Sequence, residues 1–108
     1  MATSTTTRIT LRGKSGTTYD FEVYPWGQQF NPVGGVYVIL REPADGTIYV
    51  GQTGDLSARF DSHHKAACFQ LHGRRYIGVL AESSEQRRLA METDLIAAYH
   101  PPCNEQGK

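Results

Sequence analysis

A small α/β (α+β) sandwich, with helices packed on a mostly antiparallel sheet, is the fold this sequence predicts. Three observations predict it. Two polar–apolar alternations flank a glycine-bearing turn near the N-terminus. A second pair of β-branched and aromatic runs flanks Pro43-Ala44-Asp45-Gly46. Two later stretches carry apolar residues at helical spacing, separated by one short strand. The order is β-β, β-β, α, β, α.

The elements follow in sequence. Residues 1–7 are rich in Ser and Thr and are expected to be disordered. Arg8–Arg12 and Thr18–Val23 alternate around Gly13-Lys14-Ser15-Gly16, as a hairpin requires. Tyr24 through Gly35, with Pro25, Gly27, Pro32 and Gly34, reads as a loop. Val36–Leu40 and Thr47–Val50 read as strands of a second hairpin. Thr53 as N-cap, Asp55 in a first turn, and Leu56, Phe60, Ala67 and Leu71 predict a helix over Asp55–Leu71, stopped by Gly73. Tyr76–Leu80 reads as a strand. Ser83 with Gln86 has the capping-box spacing ahead of a helix over Ser84–Tyr99, which Pro101-Pro102 ends.

Composition narrows the function classes. The chain has 108 residues, 11 Lys+Arg against 11 Asp+Glu, and 39% hydrophobic residues. That length fits one domain with one modest core. No apolar run approaches the roughly 20 residues of a membrane helix. The opening MATSTTTRIT lacks the apolar stretch of a secretory signal, and Cys68 and Cys103 are too few for a disulfide scaffold. A reducing cytoplasm is therefore the expected compartment. The balanced charge excludes binding of nucleic acid through bulk positive charge and leaves only a local patch.

Several polar residues fall where apolar ones belong. Leu89, Ile96 and Tyr99 mark one helix face, and Glu92 lies on it. A carboxylate facing a core costs several kcal/mol unless it is paired or bound to a cation. On pattern alone Glu92 is either a boundary residue reaching water or an arginine, or a group held for a cation. Arg59 and His63, four apart, border the Leu56/Phe60 stripe in the same ambiguous way. Tyr37 and Tyr49 stand on facing strands of one hairpin, where their hydroxyls can converge.

Taken together, these residues resemble the GIY-YIG nuclease superfamily. Gly35-Val36-Tyr37 and Tyr49-Val50-Gly51 resemble its two naming tripeptides, one hairpin apart. Gln52-Thr53-Gly54-Asp55-Leu56 followed by Arg59 resembles its turn and first helix. His63, His72 and Glu92 fall at family positions, and Asn104 in Pro101-Pro102-Cys103-Asn104 resembles the closing Pro-x-Asn element. The resemblance covers residues 34–104, the expected core with a three-stranded sheet. It leaves the hairpin of residues 8–30 as an extension that adds to the sheet or offers a surface to a second copy as a homodimer. Residues 8–108 then form a single domain. Both tripeptides carry Val in place of Ile, and Gln52 stands where some relatives carry Lys.

The resemblance implies hydrolysis of DNA phosphodiester bonds with a divalent cation, Mg²⁺ or Mn²⁺, held by Glu92. Tyr37 is then the general base, its proton affinity lowered by Arg59 and the cation. Tyr49 orients Tyr37 or the water. Arg59 holds the scissile phosphate with its planar fork. His63 donates to phosphate or shuttles a proton, while Asn104 and Gly51 brace the site. Gln52, Lys65, His72, Arg74, Arg75, Arg87 and Arg88 are candidates for substrate contact, and those to phosphate give affinity without sequence reading. The short chain implies low sequence specificity or a preference for single-stranded or branched DNA. A non-catalytic nucleic-acid-binding or adaptor module is the alternative. A third is a zinc module, with His64, Cys68 and His72 stepping by four along one helix face and His100 or Cys103 completing the set, although Cys68 reads more simply as a small buried apolar residue. Tyr24 and Trp26 either stack bases or pack on the sheet.

Overall fold

Alternation places Ile9, Leu11, Phe21 and Val23 on one side of the first hairpin, and all four are buried. The computed structural model describes residues 7–42, 45–58 and 65–105. The hairpin consists of β1 (Thr7–Arg12) and β2 (Thr18–Pro25). Its turn closes through the Gly13 N–H, which donates to the Thr17 carbonyl at 2.8 Å. Thr7 pairs with Val23, so it belongs to the sheet and not to a disordered lead.

The second hairpin joins β3 (Gly35–Glu42) to β4 (Asp45–Thr53). Its expected turn lies partly outside the described residues. Tyr37 stands opposite Gly51, and Val38 opposite Val50; beyond Ile39 the register slips by a bulge. Strand β5 (Tyr76–Ala81) runs between the two hairpins, antiparallel to both β2 and β3. The result is one five-stranded antiparallel sheet, ordered β1-β2-β5-β3-β4. The N-terminal hairpin thus extends the sheet by docking β2 on β5.

Both faces of the sheet are covered, which is why Val36 to Leu40 is an unbroken apolar run and not an alternation. On one face Val36, Val38, Leu40 and Val50 pack with the first hairpin and with Leu95 of helix α2 (Glu85–Tyr99). On the other, Tyr37, Ile39, Ile48 and Ile77 pack with Leu56, with Cys68 and Phe69 of α1 (Ala66–Leu71), and with Cys103 of α3 (Pro102–Glu105). Each fully buried side chain of this size contributes about 1.5–3 kcal/mol.

The helices depart from expectation in five places. The helix predicted from Asp55 begins, as described, only at Ala66. Residues 55–58 form turns in which the Asp55 carboxylate accepts from the Ser57 N–H at 2.9 Å and from its hydroxyl, while Thr53 Oγ1 accepts from the Asp55 N–H at 3.1 Å. Such local bonds compete with helical ones. Phe60 lies outside the described residues. The stop at Gly73 is as predicted: with φ of 81° it allows Gly73 N–H to bond Gln70 O at 3.1 Å and Arg74 N–H to bond Phe69 O at 3.0 Å.

In α2 the N-cap is Ser84, not Ser83. Its Oγ accepts from the Arg87 N–H at 3.3 Å, and the Ser84 N–H is taken by the Glu82 carboxylate at 3.0 Å. Leu89 is 44% exposed, so the inward face runs instead through Arg88, Met91, Leu95 and Ile96. Beyond the left-handed His100, with φ of 45°, α3 adds a short helix that the proline pair had hidden; Pro102 suits its first position. Finally, Cys68 is buried as expected but is bonded to Cys103 in a disulfide, tying α1 to α3. Among the described residues no helix is long and apolar enough to cross a membrane.

Candidate functional site

The site is organised by strand register. Tyr49 and Gly51 are two apart on β4 and so share a face, and Tyr37 stands across from Gly51. With no side chain at Gly51, the Tyr37 ring lies over that position. A Cβ there would come within 2.6 Å of Tyr37 Cζ and Oη and 2.8 Å of Tyr49 Cε2. The two tyrosine rings have centroids 6.1 Å apart, and their hydroxyls are hydrogen-bonded. Tyr49 in turn packs on Phe69, 5.2 Å between centroids.

Glu92 reaches this pair from α2. It sits off the outer side of β4, where the Gln52 backbone N–H donates to its carboxylate. One step along the same edge, Asn104 binds the strand as a further strand would: Val50 N–H donates to its Oδ1 at 2.8 Å, and its Nδ2 donates to Val50 O at 2.9 Å. Asn104 and Glu92 therefore cap successive outward-facing peptide groups of an edge strand. This is the bracing expected of Asn104.

Electrostatics couple the three acidic groups. Burial raises the Glu92 carboxyl above its ordinary value, an effect the Gln52 N–H partly opposes. Burial pushes Tyr37 well above the ordinary phenol range, and charge on Tyr49 and Glu92 adds to it. Tyr49 is raised by burial and by Glu92, while its bond from Tyr37 acts the other way. The described residues thus all push Tyr37 upward, while the lowering expected of a general base was assigned to a cation and to Arg59. Arg59 and His63, named for phosphate and proton handling, lie outside the described residues, as does His64.

The remaining candidates separate. Arg88 is 7% exposed, and its guanidinium donates to Gln52 Oε1 at 2.9 Å and to the Glu82 and Ser83 carbonyls at 3.0 Å each. It is built into the α2–β4 junction, so the expected contact of Arg88 with phosphate gives way to a structural role. Gln52 is likewise engaged through both its side chain and its N–H. Arg74 stacks on Trp26, 4.4 Å from the ring centroid, and Trp26 packs edge-on against Phe69 at 6.1 Å. Trp26 and Tyr24, the latter edge-on to Phe30 at 5.4 Å, are therefore packing residues. Arg75 pairs loosely with Glu42 at 3.9 Å, and Arg87 is exposed in the first turn of α2. Lys65 precedes α1, and its carbonyl accepts from the Phe69 N–H at 3.0 Å. His72 ends α1, close to Cys68 and Cys103.

Reading the sequence missed the Gln52–Glu92 contact, because a backbone donor leaves no mark in residue types. It also missed Arg88 as a structural cation, because its partners are the Gln52 side chain and main-chain carbonyls. Comparison with protein-family models, curated proteins and solved structures finds no match to this chain.

Proposed function

We propose that this chain is a divalent-cation-dependent endonuclease of the GIY-YIG type, acting on DNA with little sequence specificity or on single-stranded or branched forms. The observation that carries the reading is the meeting of Tyr37, Tyr49 and Glu92 at the Gly51 gap and the β4 edge.

The donor set suits Mg²⁺. A partly buried carboxylate, disfavoured as an anion by its own burial, gains from a cation, and Mg²⁺ needs few protein ligands because it keeps several waters. Glu92 would hold it, and the ion would supply charge stabilisation on the phosphoryl oxygens and polarise water. Tyr37 takes the proton of the attacking water only when cationic charge offsets its burial, and Arg59 is the side chain assigned to that and to the scissile phosphate. Tyr49 fixes the direction of the Tyr37 hydroxyl through their hydrogen bond. His63 handles the proton of the leaving group. Arg75 and Arg87, together with Lys65, supply backbone contacts. The cytoplasm is the proposed compartment, and a second copy is proposed to pair through the N-terminal hairpin, whose β1 is an edge strand.

A panel of plasmid, single-stranded and branched DNA, with Mg²⁺ and with Mn²⁺, tests the reading. Wild type should cut at least one substrate, and Glu92→Ala and Arg59→Ala should each lower the rate by about 100-fold or more. Binding without cleavage by wild type in both ions would establish the adaptor alternative instead.

A further inference from the structure

Cys68 lies on α1 and His72, four residues on, caps the C-terminus of that helix on the same side. Cys103 comes to that side from α3. The two sulfurs and an imidazole nitrogen of His72 all lie within 4.8 Å of one another. We propose that Cys68, His72 and Cys103 form a zinc-class metal site that opens only when the Cys68–Cys103 disulfide is reduced, so that metal and disulfide are alternative states of one clip between α1 and α3.

The donor chemistry sets the ion. Thiolate with imidazole selects Zn²⁺ and similar borderline ions over Mg²⁺, so this site does not compete for the cation assigned to Glu92. Tetrahedral bonds of about 2.0–2.3 Å place neighbouring ligand atoms somewhat under 4 Å apart, so the two sulfurs, bonded here, must move apart on reduction while the His72 nitrogen, within 4.8 Å of both, closes by up to about 1 Å. Both helices are short, and the bonds that tie α3 to β4 run through Asn104 and not through Cys103, which lets the sulfurs make that adjustment. The surroundings favour tight binding: Cys103 is fully buried, Cys68 is 9% exposed, and both sit in the cluster with Phe69, Ile77 and Tyr37. The backbone of His72 is fixed by its own N–H, which donates to Cys68 O at 3.1 Å. Three protein ligands leave the fourth position for water.

The chemistry balances with a dithiol as reductant. The dithiol gives two electrons to the S–S bond, which breaks; its two protons leave Cys68 and Cys103 as thiols, and it closes to its own disulfide. The metal then displaces both thiol protons to solvent as two metal–sulfur bonds form, and the neutral His72 nitrogen adds its lone pair.

The inference does not depend on nuclease activity, and its test is spectroscopic. Wild-type protein is reduced with a dithiol, freed of it without air, and titrated with Co²⁺ as a stand-in for Zn²⁺, beside oxidised protein. Reduced protein should bind one Co²⁺ per chain and show a thiolate-to-cobalt charge-transfer band with the visible bands of a tetrahedral ion. Oxidised protein should show neither set of bands, because Co²⁺ held by the Glu92 carboxylate and water gives no thiolate charge transfer. His72→Ala should weaken binding by more than about 100-fold, beyond the loss from an outer partner alone. Because the oxidised and reduced samples are the same chain, no substitution need fold for the main comparison. Absence of the charge-transfer band in reduced protein, equal spectra in both redox states, or unchanged affinity in His72→Ala would overturn the proposal.

Discussion

A methyl group at position 51 would sit 2.6 Å from both Cζ and Oη of Tyr37, well inside contact distance. The ring cannot keep its place over β4 once that methyl is present. Overpacking of this kind costs about 1–3 kcal/mol, and here the relief is rotation of Tyr37 away from Tyr49. Gly51→Ala should therefore lower stability by that amount in urea unfolding and reduce cleavage along with it. Stability equal to or above wild type would show that the ring has other room. Strand periodicity placed Tyr37 and Tyr49 on facing strands where their hydroxyls can meet, whereas Gly51 and Glu92 entered through the resemblance, since on pattern alone Glu92 read also as a boundary residue. Arg88 was not legible. A cation on an amphipathic helix reads the same whether it faces solvent or fills a junction, and only the carbonyls of Glu82 and Ser83, which no pattern announces, decide it.

At the scale of elements, the strands and the end of the first helix followed from sequence, and the start of that helix did not. β-branched runs between turn residues leave few alternatives, whereas residues 53–58 hold side chains able to close turns on their own backbone. The Leu56 of the supposed helical stripe is buried all the same, on the face with Phe69. Burial was therefore read correctly where conformation was not. The short α3 matters because it delivers two groups at once: Cys103 to α1 and Asn104 to β4. Removing the Asn104 side chain leaves the Val50 N–H and carbonyl, both partly buried, without partners, at a cost of about 1–3 kcal/mol. Asn104→Ala should shift the urea midpoint down with an unchanged slope. Tyr49, next to Val50, should lose its fixed position, so cleavage falls more than the folded fraction does. A midpoint within error of wild type would mean that water replaces the amide at this edge.

Across the whole molecule, the N-terminal hairpin is joined to the rest by β2 on β5, by the Arg12 N–H, which donates to Tyr99 Oη of α2 at 3.1 Å, and by Asp94 of α2. The Asp94 carboxylate accepts from Ser15 N–H at 2.8 Å, from Ser15 Oγ at 2.7 Å and from Tyr19 Oη at 2.8 Å, while its backbone carbonyl accepts from Lys14 N–H at 3.2 Å. One side chain thus fastens the hairpin turn to the helix that carries Glu92. The bonds from Ser15, then the one from Tyr19, lower the Asp94 carboxyl below its ordinary 3.8. For a group depressed in the folded state, the stabilisation is complete above the unfolded value and disappears as pH falls through the lower folded value. Asp94→Asn, which keeps the shape and removes the charge, should accordingly be less stable than wild type at neutral pH. The gap should narrow once pH drops below 3.8, as wild type itself is protonated. Urea unfolding of both proteins across that range measures it. A gap that stays constant with pH would assign the loss to the acceptor oxygen that the amide lacks and not to charge, and would leave β2–β5 pairing and the Arg12–Tyr99 bond as what hold the hairpin against acid.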